Sequence, residues 1–200
     1  MAETGKGHRQ RLKERFLSGE AQARTDEALD AWDRAIELAP AQPAFRIAPI
    51  RALMVAHDEK RAHWRADALA KHAHDKQDIE LLITASAGAS AAEDAKLAVE
   101  LARQARALRS GDGRLAFVVA QRLAEAGEVK DAADAYAELL VCGAHGRAWH
   151  RHEVAGKLLE LARASDAARA AVQGAVSSKR ACETVEPDDL ATYIGPLLAR

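Results

Sequence analysis

The sequence predicts an all-α protein built from about five antiparallel helix pairs in a row. The 200 residues are 48% hydrophobic and 30% charged but only 4% aromatic. Ala, Leu, Glu, Arg and Lys make up most of the chain, and these residues lose little conformational entropy on entering a helix. Short turns rich in Gly, Asp or Pro divide the chain into helix-length segments. Small and apolar residues also recur in phase every 34 to 36 positions.

The first two segments have recognisable helix boundaries. Residues 1–24 are predicted to form a basic helix, the first helix of unit 1. Thr25, followed by two acidic residues, predicts the start of the second helix, and Pro40 predicts its end. The stretch 41–58 is the least regular, because Pro49 removes a backbone hydrogen bond and should start a new helix or kink one.

Similar signals continue to the C-terminus. Ser90 and Glu93 form a capping box that predicts a helix start, and Gly127 predicts a helix end. Further helices are predicted over residues 114–126, 130–141, 147–164 and 165–179. Glu186 and the Pro-Asp-Asp that follows it predict a last helix within residues 181–200, which would cap the open end of the row.

One triple of positions shows the repeat most clearly. Ala132, Tyr136 and Leu139 are small, bulky and apolar, at spacings of four and three. The triples in phase with it are Ala28, Trp32 and Ala35; Ala62, Ala66 and Leu69; Ala98, Ala102 and Ala105; and Ala168, Val172 and Ala175. Small residues at a crossing let two helix backbones approach to roughly 8 to 10 Å. Because an Ala-rich chain also produces such triples by accident, an irregular helical bundle is the alternative.

Two segments give this period a family resemblance. Residues 25–40 resemble the second helix of a tetratricopeptide repeat, with its small-x3-aromatic-x2-Ala core and closing proline, and residues 127–140 resemble another such helix with its preceding turn. The resemblance spans most of residues 25–180, but the Trp and the Leu-Gly pair usual in the first helix of a repeat are missing. It implies a right-handed superhelical array whose first helices line a concave groove for a partner peptide or protein.

The resemblance also implies which residues face that groove. The predicted partner-binding residues are Arg114, Phe117 and Gln121 of the fourth unit and His150, Glu153 and Lys157 of the fifth. Phe117 lies opposite the apolar stripe of its own helix, so it is either a binding anchor or packs on the neighbouring unit. Mixed charges suggest a polar or amphipathic ligand. The chain has no Asn, which disfavours the Lys/Asn carboxylate clamp of some relatives.

The N-terminal segment has a second resemblance. Residues 7–17 are similar to the opening of the RadC-like family over about a dozen residues. The HxHPSG segment of that family's later domain does not occur, since His72-Ala-His74 lacks the Pro-Ser. We therefore interpret the segment as a basic amphipathic helix. Its basic residues form either a solvated face or a patch for phosphate or acidic groups; they are Arg9, Arg11, Lys13 and Arg15.

Composition and spacing bound the remaining classes of function. Twenty-nine Lys and Arg stand against 30 Asp and Glu, so no global field attracts nucleic acid or an anionic membrane. Cys142 and Cys182 are the only cysteines, which is typical of a reducing compartment. No segment approaches the roughly 18 apolar residues of a membrane span, and no signal-peptide core is visible. We therefore expect a soluble, cytoplasmic protein.

Sites for metals, cofactors and catalysis are not expected. The histidine pairs are two or six residues apart, whereas ligands on one helix face need spacings of three or four. The GxSxG, P-loop, GxGxxG and HExxH motifs are absent. The leading hypothesis is a non-catalytic adaptor or scaffold. The alternatives are a regulatory or substrate-presenting component of an enzyme system, such as a bacterial transferase, and nucleic-acid association through the N-terminal helix. Self-association is left open.

Overall fold

The computed structural model describes residues 23–141, residues 148–178 and position 195. These residues form helices, most of them joined by short turns, and no strand occurs among them. The helices are α1 (23–38), α2 (Pro43–Val55), α3 (Glu59–Lys76), α4 (Ile79–Ala91), α5 (Ala95–Leu108), α6 (Gly113–Glu125), α7 (Val129–Val141), α8 (Ala148–Ala164) and α9 (Asp166–Ser178). The all-α prediction is confirmed for this part of the chain.

Most of these helices begin at a side chain that caps the first turn. The free N–H groups at a helix start need acceptors, and Asp and Ser side chains supply them at short reach. Each capping oxygen accepts a hydrogen bond from a backbone N–H two or three residues further on. The capping residues are Asp58, Asp78, Asp94, Asp112 and Ser165.

Two helix starts predicted from the sequence are wrong. Ser90 lies inside α4, where its hydroxyl donates to Glu125 Oε2 at 2.7 Å instead of capping α5. Asp94 caps α5 instead, accepting from the N–H of Leu97 at 3.0 Å. The capping-box prediction fails because Asp94, one residue beyond the box, caps α5 instead of Ser90. Thr25 is not a helix start either, since the chain is already helical at residue 23.

Most of the irregular stretch 41–58 forms one uninterrupted helix. α2 starts at Pro43, where the missing N–H would have had no helical partner. Pro49 lies buried inside α2 and does not begin a new helix, contrary to one of the predicted outcomes. A close contact with α4 accompanies this packing: a Cβ added to Gly88 would lie 3.1 Å from Ile50 Cδ1. Glycine at this point lets α2 and α4 approach closely.

The helices pack along the chain in a simple order. From α2 to α9 each helix packs on the next, and α2 also packs on α4, α4 more lightly on α6, and α7 on α9. Connections of only a few residues make consecutive helices antiparallel neighbours. All extensive helix contacts in the described part therefore join helices that are one or two steps apart.

The repeated positions lie in alternate helices, in α1, α3, α5, α7 and α9. The leading alanines Ala62, Ala98, Ala132 and Ala168 are 0%, 1%, 0% and 3% exposed, while Ala28 is half-buried. Among the other members, Ala66, Leu69, Ala102, Ala105, Tyr136, Val172 and Ala175 are buried, and Trp32, Ala35 and Leu139 are half-buried. The repeated positions are therefore core positions in α3, α5 and α9 and, apart from Leu139, in α7, whereas those of α1 are only half-buried.

Candidate interaction surfaces

Polar contacts tie together even-numbered helices. The guanidinium of Arg114 in α6 contacts both carboxylate oxygens of Glu80 in α4, at 2.5 Å from Nη2 and 3.4 Å from Nη1, across 34 residues of sequence. At the other end of the same two helices, Ser90 bonds to Glu125 across 35 residues. Two links near opposite ends fix α4 beside α6 in one register.

Odd-numbered helices are linked in the same way. Arg61 of α3 binds Asp26 of α1 at 2.5 Å, across 35 residues of sequence. Arg65 of α3 donates two hydrogen bonds of 2.8 Å to Asp33 of α1, across 32 residues. The hydrogen bonds from Arg65 hold the pKa of the Asp33 carboxyl below its ordinary value of 3.8. Such exposed pairs contribute at most about 1 kcal/mol each. These pairs therefore matter less for stability than as evidence of how α1 and α3 are aligned.

The two links between α4 and α6 enclose a surface that we call the α4–α6 face. It consists of Glu80, Ile83, Ala87 and Ser90 on α4 and Arg114, Val118, Gln121 and Glu125 on α6. Spacings of three and four residues align each set along its helix. Ile83, Ala87 and Val118 are half-buried and apolar, and Glu80 is the sole charged residue of α4. The face is thus apolar in the middle and charged at its ends.

Three of the predicted groove residues lie on α6 and already have partners within the fold. Arg114 binds Glu80, and the Gln121 amide donates to Glu125 Oε1 at 3.0 Å. Phe117 is half-buried and meets Tyr136 of α7 edge-on, with ring centroids 5.6 Å apart and planes at 63°. This contact lies within one predicted unit, so it tests neither predicted role of Phe117, the binding anchor or the contact with the neighbouring unit.

The predicted sites elsewhere are described only in part. On α8, Glu153 is exposed and the Lys157 ammonium binds Glu160 at 2.8 Å. The side chain of His150 lies outside the described residues. So do the basic residues Arg9, Arg11, Lys13 and Arg15, both cysteines, residues 1–22 of the predicted N-terminal helix, and all of the predicted capping helix except position 195.

Two side chains, one on α7 and one on α6, carry buried polar atoms that sequence reasoning missed. The Tyr136 hydroxyl and Arg122 Nε are buried and have no hydrogen-bond partner in the described part of the chain. Another nitrogen of Arg122 binds Glu125. Burial raises the pKa of the Tyr136 phenol, and the nearby carboxylates of Glu125, Glu160 and Glu153 raise it further. The phenol therefore stays protonated as an unpaired donor. From the sequence, Tyr136 is recognisable only as a bulky core residue.

A second missed feature is a cleft between α5 and α7, which we call the α5–α7 cleft. Its volume is about 410 Å³. It is lined by Arg103, Arg106, Ala107, Ser110, Val119, Leu123 and Ala135. Val119 and Leu123 of α6 form an apolar floor and are each only 4% exposed. The sequence does contain a signal, because two arginines three residues apart on α5 stand beside small residues.

The described helices also bear on metal binding and membrane insertion. Within residues 23–141 and 148–178, no three His, Cys, Asp or Glu side chains come close enough together to hold a metal ion. No helix in these ranges combines the length and the apolar character that crossing a membrane requires.

No protein-family model matches the chain, and no curated protein matches it significantly.

Proposed function

We propose that this chain is a tetratricopeptide-like array of helix pairs that acts without catalysis, as an adaptor or scaffold for a peptide or protein partner. The observation that supports the array is the set of links between helices one repeat apart. Glu80 and Arg114, on the even-numbered helices α4 and α6, are 34 residues apart in the sequence. Asp26 and Arg61, on the odd-numbered helices α1 and α3, are 35 apart. At these two places, helices one repeat apart lie beside each other, as they do in stacked repeats.

Side-by-side helices create a surface that no single pair has. On the α4–α6 face, Ile83, Ala87 and Val118 form an apolar strip, because each of these side chains is partly exposed. Charged residues stand at both ends of this strip, at the Glu80–Arg114 link and at Glu125. An extended or helical partner segment with apolar residues in its centre and polar residues at its ends complements this pattern.

Site-specific crosslinking tests this proposal. A photoreactive phenylalanine analogue placed at Gln121 reports on the α4–α6 face. The same group at Trp64 of α3, which is 68% exposed, is the matched control on an odd-numbered helix. In cells of the native host, we expect a crosslinked protein from position 121 and none from position 64. Crosslinks from position 64 alone would place the binding surface on the odd-numbered helices instead.

Two other outcomes would contradict the proposal more broadly. If neither position yields a crosslinked protein, the chain does not act as an adaptor through these helices. If the purified chain turns over a substrate without any partner, the non-catalytic part of the proposal is wrong.

A further inference from the structure

The α5–α7 cleft lies where two consecutive odd-numbered helices do not pack closely on each other. α7 and α9 pack directly on each other, whereas α5 and α7 meet only loosely. The small side chains Ala107 on α5 and Ala135 on α7 line the gap. Through this gap the floor residues Val119 and Leu123 of α6 come close to the surface while staying almost fully buried. The cleft is therefore apolar at its bottom.

Two arginines on the rim of the cleft form long ion pairs that, among the described residues, leave their N–H donors without short hydrogen bonds. Arg103 and Arg106 of α5 point towards Glu128 and Glu138 across the gap, but their N to O distances are 4.0 and 3.6 Å. Both are longer than hydrogen bonds. A guanidinium has five N–H donors in a planar fork that fits a carboxylate. The two arginines can therefore bind an added carboxylate without first breaking a hydrogen bond within the described chain.

The shape of this region favours a chain segment over a compact small molecule. A volume of about 410 Å³ is at the low end for ligand pockets, which span roughly 300 to 1,000 Å³. A second depression of about 500 Å³ lies along α5 and shares Arg103 and Ala107 with the cleft. Its other lining residues are Lys96, Glu100 and Gln104. Two adjoining depressions across one helix suit a ligand that extends over it.

We propose that the α5–α7 cleft binds a partner segment in which an apolar side chain stands next to a carboxylate. The apolar side chain packs on Val119 and Leu123, and the carboxylate binds Arg103 and Arg106. This inference rests on the proposed adaptor function and adds a contact surface distinct from the α4–α6 face. It also defines the chemistry of that part of the partner.

Methyl NMR with short peptides tests the inference directly. The probe is a blocked peptide with the core Glu-Leu-Glu, and the controls have the cores Gln-Leu-Gln and Glu-Ser-Glu. We expect the Glu-Leu-Glu peptide to shift the methyl signals of Val119 and Leu123 in a saturable way. Those of Leu158, in the core of α8, should not move. Both control peptides should bind roughly tenfold more weakly, a difference of one order in Kd. No shift, or equal shifts with all three peptides, would overturn the inference.

Substitutions at exposed alanines give the matched control. Ala107→Glu places a carboxylate between the two depressions and should weaken Glu-Leu-Glu binding at least about tenfold through like-charge repulsion. Ala68→Glu introduces the same residue at an exposed position of α3 and should leave binding unchanged. Arg103→Gln combined with Arg106→Gln should abolish the preference for Glu-Leu-Glu over Gln-Leu-Gln. Unchanged binding in Ala107→Glu would place the peptide elsewhere.

The crosslinking experiment separates this inference from the proposed function. A partner crosslinked at position 121 together with no peptide binding in the cleft would leave the adaptor function standing and remove the cleft site. Specific peptide binding in the cleft without any crosslinked partner would support the site and contradict the α4–α6 face.

Discussion

Replacing Ala66 by leucine tests the packing on which the whole array depends. Ala66 is the middle member of its repeated triple and is 1% exposed. In α3 it packs in a cluster that contains Leu29 of α1 and Ile50 and Leu53 of α2. Three added carbon atoms have no space there, so α3 must move away from its neighbours or the side chain must adopt a strained rotamer. Overpacking of this kind costs about 1 to 3 kcal/mol.

The control for this change lies two residues further along the same helix. Ala68 is exposed, so Ala68→Leu has a similar effect on helix propensity without entering the core. Exposed substitutions change the free energy of unfolding by no more than about 0.5 kcal/mol. For a chain of this size, 1 kcal/mol corresponds to roughly 2 to 4 °C in Tm. Ala66→Leu should therefore lower Tm by about 2 to 12 °C relative to Ala68→Leu.

Urea unfolding followed by circular dichroism measures the difference. Both variants should keep the helical spectrum of the parent in the absence of urea, and Ala66→Leu should unfold at a lower urea concentration. Equal midpoints, or a higher midpoint for Ala66→Leu, would mean that helices do not approach closely at the repeated alanines. The structural basis of the repeat would then be lost.

Three other predictions concern single contacts. Tyr136→Phe removes a buried hydroxyl that has no described partner, so it should raise the free energy of unfolding by about 1 kcal/mol in urea titrations; a loss of that size would mean the hydroxyl is satisfied in solution. Asp94→Ala should destabilise by about 1 kcal/mol as a lost cap, whereas Ser90→Ala should cost less than half as much; the reverse order would restore the capping box. The lowered pKa of Asp33 means that its ion pair with Arg65 stabilises the fold above pH 3.8 and that this contribution is lost as the pH falls through the folded-state value. Asp33→Asn should therefore flatten the pH dependence of stability below pH 4, and an unchanged acid slope would contradict the pair.

Helix positions were predictable from the sequence because their signals are local. The end of α6 is an example: Gly127 has φ +75°, a conformation that glycine adopts without strain, and α6 ends at Glu125. The alanine period also identified core positions, since burial of small residues repeats with the helix pairs. Where two local signals compete, as Ser90 and Asp94 do, the sequence alone does not show which side chain faces the first turn.

The interaction surfaces were less predictable because they depend on register between distant segments. The sequence predicts that Arg114 faces a partner-binding groove, but its ion-pair partner Glu80 lies 34 residues away and is recognisable only once α4 and α6 are placed side by side. The same reason applies to the α5–α7 cleft, which exists because two odd-numbered helices fail to pack as closely as the next two. No local sequence pattern in α5 predicts the distance between α5 and α7.

The position of α4 has a consequence for how the protein is made. α4 packs against α2, α3, α5 and α6, and Glu80 is its sole charged residue. On the ribosome this apolar helix is complete at Ala91, but its last covering helix ends only at Glu125. At roughly 5 to 20 residues per second, the delay lasts about 2 to 7 seconds. During that interval the side of α4 that later meets α6 stays exposed, and we expect chaperones that hold unfolded chains to bind the nascent chain there.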